Sequence, residues 1–132
     1  MTRTTEVNRG TMAIDSDSPV HAARQSRFSH FITDDIGNPA GGQSVGEGFQ
    51  IQWQNGVLQP NGAILEDVIQ SCVERLMFFQ GSLPELAGVE GANKFACREN
   101  ALAITHLEEA LHWLNHRTLS RRARGVEGSY KA

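Results

Sequence analysis

The sequence contains little that would point to secretion or to membrane insertion. It has only two cysteines, Cys72 and Cys97, in 132 residues, far fewer than the disulfide frameworks of small secreted proteins. Both cysteines fall in apolar helical stretches, where a reduced thiol packs as a small hydrophobe, so we expect a reducing compartment. No apolar run is long enough for a membrane span or a signal sequence. The polar N-terminus, residues 1–27, is predicted to be a disordered leader.

Recognisable catalytic motifs are also missing. Gly42, Gly46 and Gly48 are not followed by the Gly-Lys-Ser/Thr of a phosphate-binding loop. The sequence has no Gly-x-Ser-x-Gly motif for a nucleophilic serine. Glu108 and Glu109 are adjacent, hence about 100° apart on a helix, and do not converge as a carboxylate pair. We therefore expect a binding protein without a cofactor and not an enzyme.

Positive charge is concentrated near the C-terminus of a chain whose net charge is −3. Between Arg117 and Lys131 there are five basic residues and one acid, Glu127, which gives this segment +4 and leaves −7 for the remainder. An acidic chain is a poor general DNA-binding protein. A local arginine cluster instead favours a compact anion such as a phosphate group.

The pattern of apolar residues predicts an α+β fold. Strand chemistry over 28–33 and strict alternation over 49–53 predict a short antiparallel β ribbon, with the glycine-rich segment 37–48 as a loop between the strands. Apolar residues at spacings of three and four then predict two helices. The first starts at Asn61-Gly62, and the second runs from a cap at Asn93 to Arg124, a rod of roughly 45 Å. Its length and all-round apolar content predict packing against other subunits.

Polar groups mark both ends of the apolar seam of the long helix. Asn100, Leu107, Leu114 and Arg121 are seven residues apart and share one face. Arg117, Arg121 and Arg124 follow one side at spacings of four and three. An antiparallel copy of the helix would bring Asn100 of one chain near the arginines of the next.

These segments resemble a known family. The helical part of the resemblance lies in residues 95–104, 107–114, 117–118 and 121–128, and the β part in 51–56, 61–63 and 66–69. Together they resemble the nucleotide-sequestering sponges of bacteriophages, the anti-Thoeris and anti-CBASS proteins, with the β part typical of the anti-Thoeris group. The resemblance covers residues 28–131. Ser129-Tyr130 departs from the Thr-His common in relatives.

The resemblance implies a homo-oligomer, commonly a hexamer, in the host bacterial cytoplasm during infection. It would form one sponge domain over 28–132, with a β part over 28–60 and a helical hairpin and tail over 61–132. The implied ligand is glycocyclic ADP-ribose, held between subunits without cleavage, with cyclic di- or trinucleotides as further candidate ligands. No DNA, membrane or metal partner is implied. The ligand-binding residues that the resemblance implies are Asn100, Arg117 and Arg121, together with Arg124 and the terminal motif over 125–128. Further candidate ligand-binding residues are Arg98, Phe95, Trp53 and Thr118.

Structural interpretations stand beside these functional ones. Arginines in a last helical turn commonly complement the helix dipole. His112 and His116 have the spacing of a helical metal pair but lack further ligands. Trp53 is either a purine-stacking platform or part of the core, and Phe95 either stacks on adenine or staples the preceding loop. Two rival functions remain open, a nucleotide-hydrolysing enzyme and a phage adaptor that binds a protein through the arginines.

Overall fold

A four-stranded antiparallel sheet opens the chain. The computed structural model describes residues 2–9 and 27–125, which fall in two compact units, Met1–Ile64 and Leu65–Ala132. The sheet contains β1 (Arg3–Arg9), β2 (Arg27–Thr33), β3 (Pro39–Gly46) and β4 (Phe49–Gln52), and each strand pairs with the next. Two helices follow the sheet, which confirms the predicted α+β class.

The predicted loop over 37–48 is wrong, because most of it forms β3. Glycine disfavours strands in general, but here it permits close strand pairing. A Cβ atom on Gly42 would overlap the carbonyl oxygen of His30 on β2, and Gly42 has a φ of +121°. The β2–β3 register also shifts between Phe31 and Thr33. The glycine is thus required by an irregular strand pairing that local propensity does not reveal.

The disordered leader predicted over 1–27 is also wrong in part. Arg3–Arg9 forms β1 and pairs with β2 from Arg3 opposite Thr33 to Arg9 opposite Arg27. Its side chains are largely exposed, so backbone pairing to β2 and not an apolar face defines this strand. Residues 10–26 lie outside the described residues. The boundary between β part and helical part falls at Ile64, four residues later than expected, and the single domain over 28–132 stays a prediction.

A helical hairpin makes up the second unit. It contains α1 (Leu65–Gln80), a short 3-10 helix (Pro84–Leu86) and α2 (Arg98–Ala123). Both long helices were predicted, but both predicted starts are wrong. The first helix, α1, begins at Leu65 and not at Asn61-Gly62, and α2 begins at Arg98 after Cys97 and not at a cap on Asn93. The stop is confirmed at Gly125, which follows the helix with a φ of +71°. With 26 residues, α2 is about 39 Å long. None of the described helices is both long and apolar enough to cross a bilayer.

The hairpin buries little of its apolar surface by itself. Among the described residues Val73 on α1 is the one apolar side chain classed as buried, with 2% exposure. Half-buried positions recur along α2 at spacings of three and four, from Asn100 through Leu107 and Leu114 to Arg121, while Trp113 on its outer side remains 65% exposed. The expected burial of the two cysteines is wrong, because both are exposed. Cys97 precedes α2. Cys72 lies in α1 beside the buried Val73, but its own side chain is exposed.

We expect Gly42→Ala to lower the free energy of unfolding by about 2–3 kcal/mol, because the added methyl group meets the His30 backbone in a conformation that favours glycine. Urea denaturation followed by circular dichroism measures the change. Gly37→Ala is the matched control: its φ is +88° but nothing lies within 4 Å of the added atom, so it should cost only about 1–2 kcal/mol. Equal losses in both variants would show that close strand pairing is not what requires Gly42.

Candidate functional site

The C-terminal part of α2 carries arginines along one stripe. Arg117, Arg121 and Arg124 lie on successive turns along the same side of the helix, because they are four and three residues apart. Arg121 is half-buried, while Arg117 and Arg124 are exposed. The Thr118 hydroxyl donates to the Leu114 carbonyl at 3.3 Å and keeps lone pairs that accept hydrogen bonds. This helix end therefore offers guanidinium donors to an anion along a single line.

One member of this stripe contacts the other helix. Nη2 of Arg117 donates to Oε1 of Glu66 at 3.4 Å, with the two side chains 58% and 34% exposed. Glu66 lies in the first turn of α1, where the helix dipole favours a carboxylate. Sequence reasoning missed this partner, because 51 residues separate the pair and only the acidic first turn of α1 hinted at it.

The other end of α2 holds the remaining predicted residues of this unit. Arg98 opens the helix and is exposed. The Asn100 amide donates to the Phe95 carbonyl at 3.4 Å. The Phe95 ring is 66% exposed, and the Lys94 ammonium lies 5.4 Å from its centre. Phe95 also lines an open, mainly apolar pocket of about 360 Å³.

Residues of α1 and the connecting loop complete this pocket, among them the rings of Phe78 and Phe79. The guanidinium of Arg75 contacts both rings, at 4.7 Å from the centre of Phe79 and 5.2 Å from the centre of Phe78. A spacing of three and four residues on one helix could have revealed this contact. The pocket is lined by Phe78, Phe79, Leu86, Val89, Glu90, Gly91, Ala92, Lys94 and Phe95.

A side-chain clamp fixes the start of α2. Oε1 of Gln80 accepts from the Cys97 backbone N–H at 2.8 Å, and Nε2 of Gln80 donates to the Cys97 carbonyl at 3.0 Å. The Gln80 amide thus holds the backbone of Cys97, the residue before α2, whereas the carbonyl of Asn93 accepts from the Ala96 N–H in a turn. Since Gln80 is the last residue of α1, the clamp holds the Phe95 and Asn100 region at one end of the hairpin.

Within a single chain, α2 does not bring its predicted residues together. Asn100 and Arg117 are 17 positions apart on one continuous helix, which places them about 25 Å from each other. Trp53 belongs to the sheet unit, where its indole N–H donates to Ser44 at 2.9 Å. This bond supports a structural role for Trp53, and its role in ligand binding stays a prediction. The terminal motif beyond Gly125 lies outside the described residues.

The histidine pair lies on the outer side of α2. His112 and His116 each make an edge contact with the Trp113 ring, at centre distances of 5.6 and 5.8 Å. Within residues 2–9 and 27–125, no three His, Cys, Asp or Glu side chains are arranged to hold a metal ion. The rings therefore contribute to an exposed aromatic cluster around Trp113.

Comparisons with known proteins match the helical hairpin. A family model described as "Acb2/Tad1, hairpin domain" matches residues 46–119, more than half of the chain. A protein named Thoeris anti-defense 1, from Bacillus phage SBSphiJ7, is 49% identical over 71 residues. The aligned stretch covers 54% of this chain but only 42% of that relative.

Proposed function

We propose, since this chain belongs to the Acb2/Tad1 hairpin-domain family, that it is a phage anti-defence protein of the anti-Thoeris type. In this proposal it binds glycocyclic ADP-ribose in the cytoplasm of the infected host and holds it without cleavage. Free messenger then falls below the level that activates the host effector. Its 49% identity to a protein named Thoeris anti-defense 1 supports the anti-Thoeris assignment.

The arrangement of α2 is the observation that carries the proposal. Its arginine stripe suits a pyrophosphate, because guanidinium groups bind phosphate oxygens through paired N–H donors. Asn100 lies on the same helix about 25 Å away. An antiparallel α2 from a second copy would place its Asn100 beside Arg117 and Arg121 of the first. The ligand pocket would then form between subunits.

Exposed apolar side chains support assembly. Trp113, Phe95 and Leu119 are 65%, 66% and 48% exposed in the hairpin unit, and exposed apolar surface of this kind is typical of protein contacts. The proposed assembly is a homo-oligomer, a hexamer by resemblance to the family. Its subunits would cover the face of α2 that carries Trp113.

The chemistry of the stripe favours binding over turnover. Arginine donates hydrogen bonds but does not give up its proton in proteins, so it cannot act as a general base. Cyclic di- or trinucleotides also carry anionic phosphate oxygens, in phosphodiester linkages, and are the second candidate ligands. A nucleotide hydrolase and a protein-binding adaptor are the functions to exclude by experiment.

We expect glycocyclic ADP-ribose to be recovered intact after incubation with the protein. The mixture is heat-denatured, and the released nucleotide is quantified by chromatography. Bound ligand should scale with the amount of protein and not with incubation time. Degraded nucleotide in excess of the protein present would establish turnover and contradict the proposal.

Arg117→Ala and Arg121→Ala should each weaken binding of glycocyclic ADP-ribose by roughly ten- to a hundredfold, the loss of one charge-assisted phosphate contact. The melting temperature of Arg117→Ala should change little, because the exposed ion pair between Arg117 and Glu66 contributes at most about 1 kcal/mol. Isothermal titration calorimetry measures the affinity.

Arg122→Ala is the matched control for these variants, because Arg122 lies off the stripe by about 100°. It should bind like the parent. Normal binding by all three variants would place the pocket elsewhere. An effect confined to cyclic di- or trinucleotides would assign the stripe to those ligands.

A further inference from the structure

Glu66 places a negative charge inside a surface suited to anions. Its Oε1 lies 3.4 Å from Nη2 of Arg117, so a phosphate group bound by that guanidinium would come within a few ångströms of the carboxylate. Two anionic groups at such a distance repel each other. A surface that binds only phosphate would therefore have a higher affinity for it with an uncharged residue at this position.

The geometry of the ion pair leaves both partners able to bind something else. Arg117 uses Nη2 toward Glu66, while guanidinium carries five N–H donors on several edges. Glu66 is 34% exposed, and a carboxylate accepts several hydrogen bonds through its two oxygens. A ligand on this surface can therefore reach an N–H donor of Arg117 and an acceptor oxygen of Glu66 at the same time.

A phosphorylated ribose has the matching chemistry. Its phosphate oxygens accept hydrogen bonds, and its hydroxyl groups, a few bonds away, donate them. Acidic side chains accept from ribose hydroxyls in other nucleotide-binding folds for this reason. Inorganic pyrophosphate has the phosphates alone and would meet only repulsion from Glu66.

We infer that Glu66 determines specificity at this site by accepting a hydrogen bond from a ribose hydroxyl of the ligand whose phosphate Arg117 binds. The inference rests on the proposed function, which supplies a ligand with both groups. The hydrogen bond from the sugar hydroxyl to Glu66 then offsets the repulsion between Glu66 and the phosphate. A ligand without such a hydroxyl meets the repulsion alone. The Arg117–Glu66 pair thereby selects ribosyl phosphates over other anions.

The test compares two probes, glycocyclic ADP-ribose and inorganic pyrophosphate, on the full-length protein by titration calorimetry. Glu66→Ala should weaken binding of the ribosyl ligand about tenfold, the loss of one hydrogen bond to a charged acceptor. Glu66→Gln, which keeps an acceptor oxygen without the charge, should lose less. Pyrophosphate binding should stay equal or become tighter in both variants.

Asp67→Asn is the matched control, because Asp67 occupies the same acidic first turn of α1 and is exposed. It removes the same charge about 100° around the helix and should leave the ratio of the two affinities unchanged. Circular dichroism and light scattering verify that every variant folds and assembles like the parent.

Each other outcome contradicts the inference. Parallel losses for both probes would make Glu66 a residue that only positions Arg117. Parallel gains would make it a competitor for the guanidinium, and unchanged affinities would leave an ordinary surface ion pair. A parent protein that fails to bind the ribosyl ligand would overturn the proposed function itself and this inference with it.

Discussion

The length of α2 is the constraint on which the rest of this molecule depends. Twenty-six residues in one continuous helix hold the amide of Asn100 and the arginine stripe at opposite ends, about 25 Å apart. A rigid rod cannot fold back to join them. Under the proposed function, a site that uses both groups would be completed by a second copy, and assembly would then be a condition for binding.

The polar contacts of the hairpin are arranged at the same two ends. Gln80 fixes the start of α2 through the Cys97 backbone, and Glu66 contacts Arg117 nearer its other end. Between them the hairpin buries only Val73 fully among the residues that the structure describes. Such a hairpin gains little hydrophobic stabilisation as a single chain, whereas contacts with further copies would cover its exposed aromatic rings.

Sequence reasoning succeeded where local periodicity determines structure and failed where a distant partner does. The alternation over 49–53 and the helical spacing of α1 and α2 identified these elements, and helical spacing also predicted the arginine stripe. β1 and β3 were missed because they owe their conformation to pairing with β2, through exposed residues in one case and Gly42 in the other. The start of α2 and the partner of Arg117 depend on Gln80 and Glu66, 17 and 51 residues away, and no local pattern encodes them.

The central claim, a pocket shared between copies, is tested most directly by mixing two defective variants. Asn100→Ala and Arg121→Ala subunits are denatured together, refolded at equal amounts and titrated with glycocyclic ADP-ribose. If each pocket takes Asn100 from one copy and Arg121 from its neighbour, roughly one quarter of the pockets regain both residues and bind with parental affinity. Binding by the mixture no better than by either variant alone would contradict the shared pocket.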